Sequence, residues 1–237
     1  MDFRAILMGL AFSLMWSSAF ATARIIVADA PPLLALSARF AISGLIAVIA
    51  ARAMGQSWRL TRPVALSVII FGLCQNALYL GLNFIALQSV QASLASIIAS
   101  SMPLIVALLG WIWRGDKVGP LGILGLLAGF AGVALIMGGR VSGGADPVAV
   151  ALCVGGALAL AVATLTVRSV SSGGNLLMVV GLQMLVGSIT LGAVSAVLET
   201  PQVALTTPLM LAFAYQIAIP GLAATLLWFA LVGRVGA

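Results

Sequence analysis

Four polar side chains lie close together in an otherwise apolar stretch of the sequence, namely Gln75, Asn76, Tyr79 and Asn83. Spacings of three and four residues place Gln75, Tyr79 and Asn83 along one face of an α-helix, with Asn76 beside them. In a membrane such groups must face protein or water, because lipid offers them no hydrogen bonds. Hydrogen bonding between helices is one use of such a stripe. The flat, amphipathic ring of Tyr79 favours another use, the lining of a substrate cavity.

Four further residues are candidates for the same cavity. Trp16 lies in the middle of an apolar segment, far from the ends where tryptophan concentrates in membranes, so it either fills space or lines an apolar pocket. Ser100 precedes Pro103, which frees a backbone carbonyl, and broken helices of this kind border substrate sites in transporters. Thr164 faces the bundle if the repeat described below holds, and Trp228 is either a cavity residue or an interface anchor.

Two arginines, Arg24 and Arg39, lie inside apolar segments. Arg24 is near enough to the end of its segment to reach the interface and pair with Asp29, about a turn and a half away. Arg39 is deeper, so its guanidinium must find helix-end carbonyls, polar side chains or water. Two interpretations of Arg39 remain open: a clamp between helices, or a group that attracts a substrate carboxylate.

The residue types that the sequence lacks reduce the number of functions that it could have. It has no histidine, and its acidic residues, Asp2, Asp29, Asp116, Asp146 and Glu199, all lie at the ends of apolar segments. An intramembrane protease of the serine–histidine or two-aspartate kind therefore lacks its catalytic groups. We expect no enzyme activity, no metal, no cofactor and no nucleotide-binding loop. Proton-coupled carriers generally use intramembrane carboxylates or histidines, so the sequence favours downhill transport.

The composition places these residues in a membrane protein. Of the 237 residues, 63% are apolar and 7% are charged, and the mean hydropathy is +1.25. A soluble domain carries about 25% charged residues, and the apolar segments here are long enough for helices rather than barrel strands. The basic residues behind the net charge of +6 are scattered between these segments, which indicates membrane orientation and no nucleic-acid partner. We predict an all-α polytopic membrane protein.

Eight apolar segments approach the roughly 20 residues that a bilayer-spanning helix needs. Turns rich in Pro and Gly separate them, and Pro220-Gly221 predicts a kink inside the last segment. The predicted spans are Ala5–Ala28, Pro32–Ala51, Val64–Ala86, Ser93–Trp113, Gly119–Gly138, Pro147–Val167, Leu176–Leu198 and Leu209–Val232.

The distribution of Lys and Arg predicts which way the spans run. One loop residue on the side opposite the N-terminus is basic, Arg140, whereas eight basic residues lie on the N-terminal side. Cytoplasmic loops carry such an excess, so we expect a cytoplasmic N-terminus. The first segment runs past a stretch that resembles a signal cleavage site and is expected to stay as a helix. The eight basic residues are Arg4, Arg52, Arg59, Arg62, Arg114, Lys117, Arg168 and Arg234.

The sequence also resembles itself weakly at an offset of 144 residues, and of 145 near its end. Five spans separate the aligned segments, so the second copy crosses the membrane in the opposite direction, as in the inverted repeats of transporters. We expect a first repeat over residues 1–140, with five spans, and an incomplete second repeat over 141–237 that lacks a ninth and a tenth helix. The aligned pairs are Leu14 with Leu158, Ala19 with Ala163, Thr22 with Thr166, Arg24 with Arg168, Leu33 with Leu177, Phe84 with Phe229, Val90 with Val235 and Ala92 with Ala237.

Several short motifs resemble the EamA family of the drug/metabolite transporter superfamily. The resemblance covers both halves of the chain, the first half better, and Asp116 stands where the family usually carries Glu. The motifs are Leu14-Met15-Trp16-Ser17-Ser18-Ala19-Phe20 in the first span, Pro32 with Arg39-Phe40 in the second, Ala92-Ser93 with Met102-Pro103 in the fourth, the turn Arg114-Gly115-Asp116-Lys117, and Gly122, Gly125, Gly129 and Gly132 in the fifth.

This resemblance implies a ten-helix fold of two inverted five-helix repeats that transports small molecules by alternating access. Within the family the chain is most similar to the YddG-type bacterial amino-acid exporters. That similarity implies export of aromatic and other neutral amino acids across a bacterial inner membrane, with the lipid bilayer and a small-molecule substrate as partners. We expect a monomer, with a dimer as the alternative. The alternative functions are proton antiport of other metabolites or drug-like cations, and a channel or scaffold.

Overall fold

The computed structural model of the protein describes residues 3–142, 144–167 and 174–235. Over these residues every regular element is helical, and eight helices are long and apolar enough to cross a membrane. This confirms the predicted all-α polytopic fold, and each helix matches its predicted span to within about four residues. The helices are α1 (Phe3–Asp29), α2 (Pro32–Ala53), α3 (Arg62–Ala86), α4 (92–114), α5 (Pro120–Ser142), α6 (Pro147–Val167), α7 (Leu176–Leu198) and α8 (207–235).

Three of these helices are not α-helical throughout. In α3 the segment Gly72–Tyr79 is π-helical, and in α8 the segment Ile217–Ala223 is π-helical. In α4, Ser101 interrupts the helix between Ala92–Ser100 and Met102–Arg114. Segments of π-helix are rare and often lie at functional sites.

Two prolines explain part of this departure from regular α-helical geometry. Pro220 lacks an N–H group, and its ring would clash with a carbonyl of the preceding α-turn, so a wider π-turn accommodates it. The break in α4 comes just before Pro103, which is well suited to the first turn of a new helix. The α-helical spacing assumed for Gln75, Asn76 and Tyr79 is wrong, because all three lie in the π-helical segment of α3.

Helices α2 and α7 form the most extensive helix pair among the described elements. Two glycines allow close contact: a Cβ on Gly44 would lie 3.0 Å from the Gly181 carbonyl oxygen, and a Cβ on Gly181 would lie 2.9 Å from the Val48 nitrogen. Elsewhere along the pair, the Ser37 and Ser188 hydroxyls each donate to the other residue's backbone carbonyl at 2.9 Å. Small residues thus bring two backbones together, which is a common way of joining helices in lipid.

The contacts around this central pair recur with the helices exchanged. Helix α1 packs against α8, and helix α6 packs against α3. In the sequence offset of 144 residues, Ser37 corresponds to Gly181 and Ser188 corresponds to Gly44. The Ser37–Ser188 contact therefore corresponds to the Gly44–Gly181 contact. Contacts between two inverted repeats related by a two-fold axis are exchanged in this way.

Acidic side chains tie the helices together at one end of the bundle. The Glu199 carboxylate accepts hydrogen bonds from the Leu33 and Leu34 N–H groups, both at 2.8 Å, so the end of α7 caps the start of α2. The Asp29 carboxylate accepts a hydrogen bond from the Thr206 hydroxyl, which joins the end of α1 to the start of α8.

The predicted pairing of Arg24 with Asp29 is wrong. The Arg24 guanidinium donates to the carbonyl oxygen of Leu87, at the end of α3, while Asp29 is engaged with Thr206. The last carbonyls of a helix have no partner within it, so they are ready acceptors for a cation.

Neutral hydrogen bonds join α2 and α7 at the opposite end of the bundle. The Met178 N–H donates to the side-chain oxygen of Gln56 at 2.9 Å, and the Ser57 N–H donates to the side-chain oxygen of Asn175 at 2.8 Å. The two ends of the bundle are therefore held by bonds of different kinds.

Candidate functional site

A cavity lies between helices α1, α2, α3, α7 and α8. Its walls are largely apolar, and a few polar side chains interrupt them. This combination is typical of small-molecule sites. The lining residues are Trp16, Ala19, Phe20, Ala23, Arg39, Phe40, Phe71, Gln75, Asn76, Tyr79, Leu80, Asn83, Phe84, Leu87, Val180, Gln183, Met184, Gln216, Pro220 and Thr225.

Aromatic side chains supplied by α1, α2 and α3 form much of this wall. The Trp16 ring is backed by Phe12, whose centroid lies 5.4 Å away at an interplanar angle of 33°. Such rings offer a large, flat surface on which an apolar or aromatic ligand group can pack. The aromatic lining residues are Trp16, Phe20, Phe40, Phe71, Tyr79 and Phe84.

Four lining side chains each carry a buried polar atom that has no hydrogen-bond partner among the described residues. These atoms are the Arg39 Nε, the Tyr79 hydroxyl oxygen, the Asn83 Oδ1 and the Gln216 Oε1. Folded proteins satisfy the great majority of their buried polar atoms, because an unpaired group in a low-dielectric interior is costly. Several unpaired atoms around one cavity therefore indicate a place where a polar ligand or water completes the hydrogen bonding.

Hydrogen bonds made by their own nitrogens orient the amides of Asn83 and Gln216. The Asn83 Nδ2 donates to the Tyr79 carbonyl at 2.8 Å. The Gln216 Nε2 donates to the Ala19 carbonyl at 2.7 Å and to the Thr22 hydroxyl at 2.8 Å. These bonds use one N–H group of Asn83 and both N–H groups of Gln216, and they leave both amide oxygens available as acceptors for the N–H groups of a ligand.

Arg39 brings a positive charge to the cavity wall. Its side chain is only 5% exposed, and its guanidinium carbon lies 5.2 Å from the centre of the adjacent Phe40 ring. Within the part of the chain that the structure describes, no carboxylate forms an ion pair with it. Asp29 and Glu199 are engaged instead at the helix ends. The charge of Arg39 is therefore available to an anionic group in the cavity.

Five of the site residues predicted from the sequence come together here. Trp16, Gln75, Asn76, Tyr79 and Asn83 all line the cavity. The wider π-turn brings Gln75, Asn76 and Tyr79 to the same wall without the α-helical spacing on which their selection depended. What each of these side chains binds stays a prediction.

The structure places two other predicted residues away from the cavity wall. The Ser100 hydroxyl donates to the Ile97 carbonyl at 2.6 Å, and the Thr164 hydroxyl donates to the Leu160 carbonyl at 2.8 Å. Both hydroxyls thus bond back to their own helix, which satisfies a short polar side chain without any ligand. The side chain of Trp228 lies outside the described residues.

The sequence prediction did not select several lining residues. Gln216 is an isolated amide inside an apolar span, and that position is itself a signal of function that spacing within one helix does not detect. Phe20, Phe40 and Phe71 carry no comparable signal, because a phenylalanine facing a cavity and one facing lipid look alike in an apolar sequence.

Comparison with known proteins assigns this arrangement to a family. Residues 3–138, which include the aromatic wall and the polar stripe of α3, match the EamA-like transporter family. The chain belongs to the EamA-like transporter family. It is therefore a multi-pass membrane protein of a transporter family, and this coarse assignment agrees with the prediction from the sequence.

Curated relatives of this EamA-like protein are themselves described as transporters. It is 31% identical over 180 residues to the uncharacterized transporter YvbV of Bacillus subtilis (strain 168), which covers 75% of this chain and 58% of that protein. It is 31% identical over 129 residues to the uncharacterized transporter sll0355 of Synechocystis, which covers 52% of this chain and 37% of that protein. The chain spans about half the length of these relatives.

More distant similarity extends to a plant protein and to a solved structure. The chain is 28% identical over 193 residues to the chloroplastic WAT1-related protein At3g02690 of Arabidopsis thaliana, which covers 78% of this chain and 46% of that protein. A crystal structure with 24% sequence identity superposes with a TM-score of 0.69 and covers 95% of this chain and 77% of that one. At this identity the crystal structure supports the fold alone.

Proposed function

We propose that this EamA-like protein exports small amphipathic metabolites, foremost aromatic and other neutral amino acids, across a bacterial inner membrane. The observation that carries the proposal is the cavity in which an aromatic wall meets polar atoms of Arg39, Tyr79, Asn83 and Gln216 that have no hydrogen-bond partner among the described residues. An amino acid needs donors for its carboxylate, acceptors for its ammonium group and an apolar surface for its side chain. The cavity offers all three.

The proposed mechanism is alternating access, in which the two halves of the protein move against each other around a fixed site. The exchange of the Ser37–Ser188 and Gly44–Gly181 contacts under a shift of 144 positions supports two inverted repeats, 1–140 and 141–237. The excess of basic residues on the N-terminal side supports a cytoplasmic N-terminus. Movement is downhill, because the described part of the cavity wall holds no carboxylate and the sequence has no histidine.

Amino-acid efflux from reconstituted vesicles tests this function. Tyr79→Ala removes a ring and a hydroxyl from the cavity wall, so we expect the initial rate of phenylalanine efflux to fall at least about tenfold, the equivalent of about 1.4 kcal/mol. Ser96→Ala is the control, because this hydroxyl bonds back to the Ser93 carbonyl at 2.9 Å and does not line the cavity. We expect the control to keep the wild-type rate.

Two further measurements complete the test. Saturation of the flux and accelerated counterflow identify a carrier, whereas a flux that rises linearly with concentration identifies a channel. Equal efflux by Tyr79→Ala and Ser96→Ala, with both variants monodisperse in detergent, would contradict the proposed site. The absence of flux for every amino acid tried would contradict the proposed substrate class.

A further inference from the structure

Arg39 is a buried cation without a counterion in the described part of the protein. Its side chain is 5% exposed, its Nε has no hydrogen-bond partner, and no described carboxylate pairs with it. A buried charge left in this state is strongly unfavourable unless something else pairs with it. Because Arg39 lines the cavity, a bound anion has access to it.

The helix packing gives no reason for a charge at this position. A shift of 144 positions carries Arg39 to Gln183, which also lines the cavity and is 3% exposed. A neutral amide thus occupies the corresponding place on α7, the packing partner of α2. The clamp between helices that the sequence left open would also need an acceptor for the guanidinium, and Arg39 has none among the described residues.

We propose that Arg39 binds the carboxylate of the transported substrate and makes a carboxylate a requirement for transport. This inference rests on the proposed function and narrows its substrate class. A guanidinium matches a carboxylate with two parallel hydrogen bonds. The described lining residues include one cation, which balances a single negative charge, whereas a phosphate dianion would leave a buried charge unpaired.

The neighbouring groups complete the recognition of an α-amino acid. The free oxygens of Asn83 and Gln216 accept hydrogen bonds from the ammonium group, and the aromatic wall packs against the side chain. A molecule of the same shape without the carboxylate would leave the guanidinium unpaired, and a site that loses a buried polar partner in this way discriminates strongly.

The test compares phenylalanine with phenylalaninamide, which lacks the carboxylate, in vesicles that contain the full protein. We expect wild-type protein to transport the acid with a kcat/KM at least about tenfold above that of the amide. Arg39→Gln reproduces the neutral amide found at Gln183, so we expect the variant to fold and to lose this preference. Arg52→Gln is the control, because Arg52 lies on the same helix and does not line the cavity.

A second variant and a binding measurement guard against misfolding. Arg39→Lys keeps the charge without the fork of donors, so we expect it to retain a preference for the acid that is weaker than that of the wild type. In detergent, the acid should raise the thermal unfolding midpoint of the wild type more than the amide does, and Arg39→Gln should abolish this difference. These readouts report selectivity, which a merely structural role of Arg39 would leave unchanged.

The outcomes separate the two proposals. If the wild type transports the acid and the amide equally, or if Arg39→Gln keeps the wild-type preference for the acid, Arg39 is not the carboxylate anchor and the transport function stands. If the wild type transports neither compound nor any other amino acid, the proposed function itself fails. A loss of acid preference in Arg39→Gln, with Arg52→Gln unchanged, supports the assignment.

Discussion

At the scale of single residues, we expect the cavity to distinguish ligands by the polar atoms that have no hydrogen-bond partner among the described residues. Asn83 and Gln216 are held through their nitrogens, so each offers an oxygen to the cavity. An acceptor that is buried and fixed in this way costs free energy when a ligand does not supply a matching N–H group. We therefore expect the amino group of the proposed substrate to contribute to its recognition together with the carboxylate.

Substitution of Gln216 tests this contribution. Gln216→Leu preserves approximate volume but removes the acceptor, so we expect the KM for phenylalanine to rise about tenfold. The KM for 3-phenylpropanoate, which lacks the ammonium group, should change about twofold or less. Gln202→Leu, in the exposed loop before α8, is the control and should leave both constants unchanged. An equal rise in both constants for Gln216→Leu would assign Gln216 to packing.

The sequence could indicate some of these residues and not others for a physical reason. Polar side chains inside apolar spans are expensive, so Tyr79 and Asn83 are conspicuous without any structure. Ser100 and Thr164 are equally conspicuous, yet each bonds back to its own helix. Whether a buried polar atom has a partner depends on contacts between distant segments, and sequence spacing within one helix does not contain that information.

At the scale of elements, the pairing of α2 with α7 depends on the absence of side chains at the crossing. A Cβ on Gly181 would lie 2.7 Å from the Val48 Cγ2 and 2.9 Å from the Val48 backbone nitrogen. A side chain can rotate away from such a contact, but a helix backbone cannot, so the two helices would have to separate.

The substitution Gly181→Ala tests whether α2 and α7 need this close contact. We expect Gly181→Ala to lower the free energy of unfolding by about 1–3 kcal/mol and to lower the thermal midpoint in detergent accordingly. Gly132→Ala is the matched control, because a Cβ there meets nothing within 4 Å and alanine favours helix. A midpoint for Gly181→Ala at or above that of the control would show that α2 and α7 tolerate separation.

Hydropathy predicted the existence and approximate ends of all eight spans, because a bilayer imposes one length and one polarity on every helix. Hydropathy could not reveal the π-helical segment Gly72–Tyr79, because a π-helical turn does not change the average polarity of the span that contains it. Pro220 marked the corresponding irregularity in α8, because proline is incompatible with a regular α-turn.

At the scale of the whole molecule, the distribution of charge gives expectations for the proposed orientation and for the proposed energy coupling. We expect a green fluorescent protein fused after Ala237 to fluoresce, and alkaline phosphatase inserted after Gly144, in the loop between α5 and α6, to be active. Both reporters are read in intact bacterial cells at matched expression. Active phosphatase after Ala237 would reverse the proposed orientation.

The described cavity wall holds neither a carboxylate nor a histidine, which gives an expectation for energy coupling. Substrate efflux should change by about twofold or less when a pH gradient of either direction is imposed on the vesicles, because no lining group needs to gain or lose a proton. The arginine guanidinium stays protonated at physiological pH. Uphill accumulation driven by a proton gradient, abolished by an uncoupler, would contradict downhill transport.

The hydrogen bonds at the two ends of the bundle differ in their charge. At one end, charged side chains make the hydrogen bonds. The Glu199 carboxylate accepts from the start of α2, the Asp29 carboxylate accepts from the Thr206 hydroxyl, and the Arg24 guanidinium donates to the Leu87 carbonyl. Neutral amide bonds join α2 to α7 at the other end. Hydrogen bonds to ionised groups are roughly twice as strong as neutral ones, so we expect the end with the carboxylates to separate at the greater cost. If the proposed alternating access holds, we expect the bundle to open more readily at its N-terminal end.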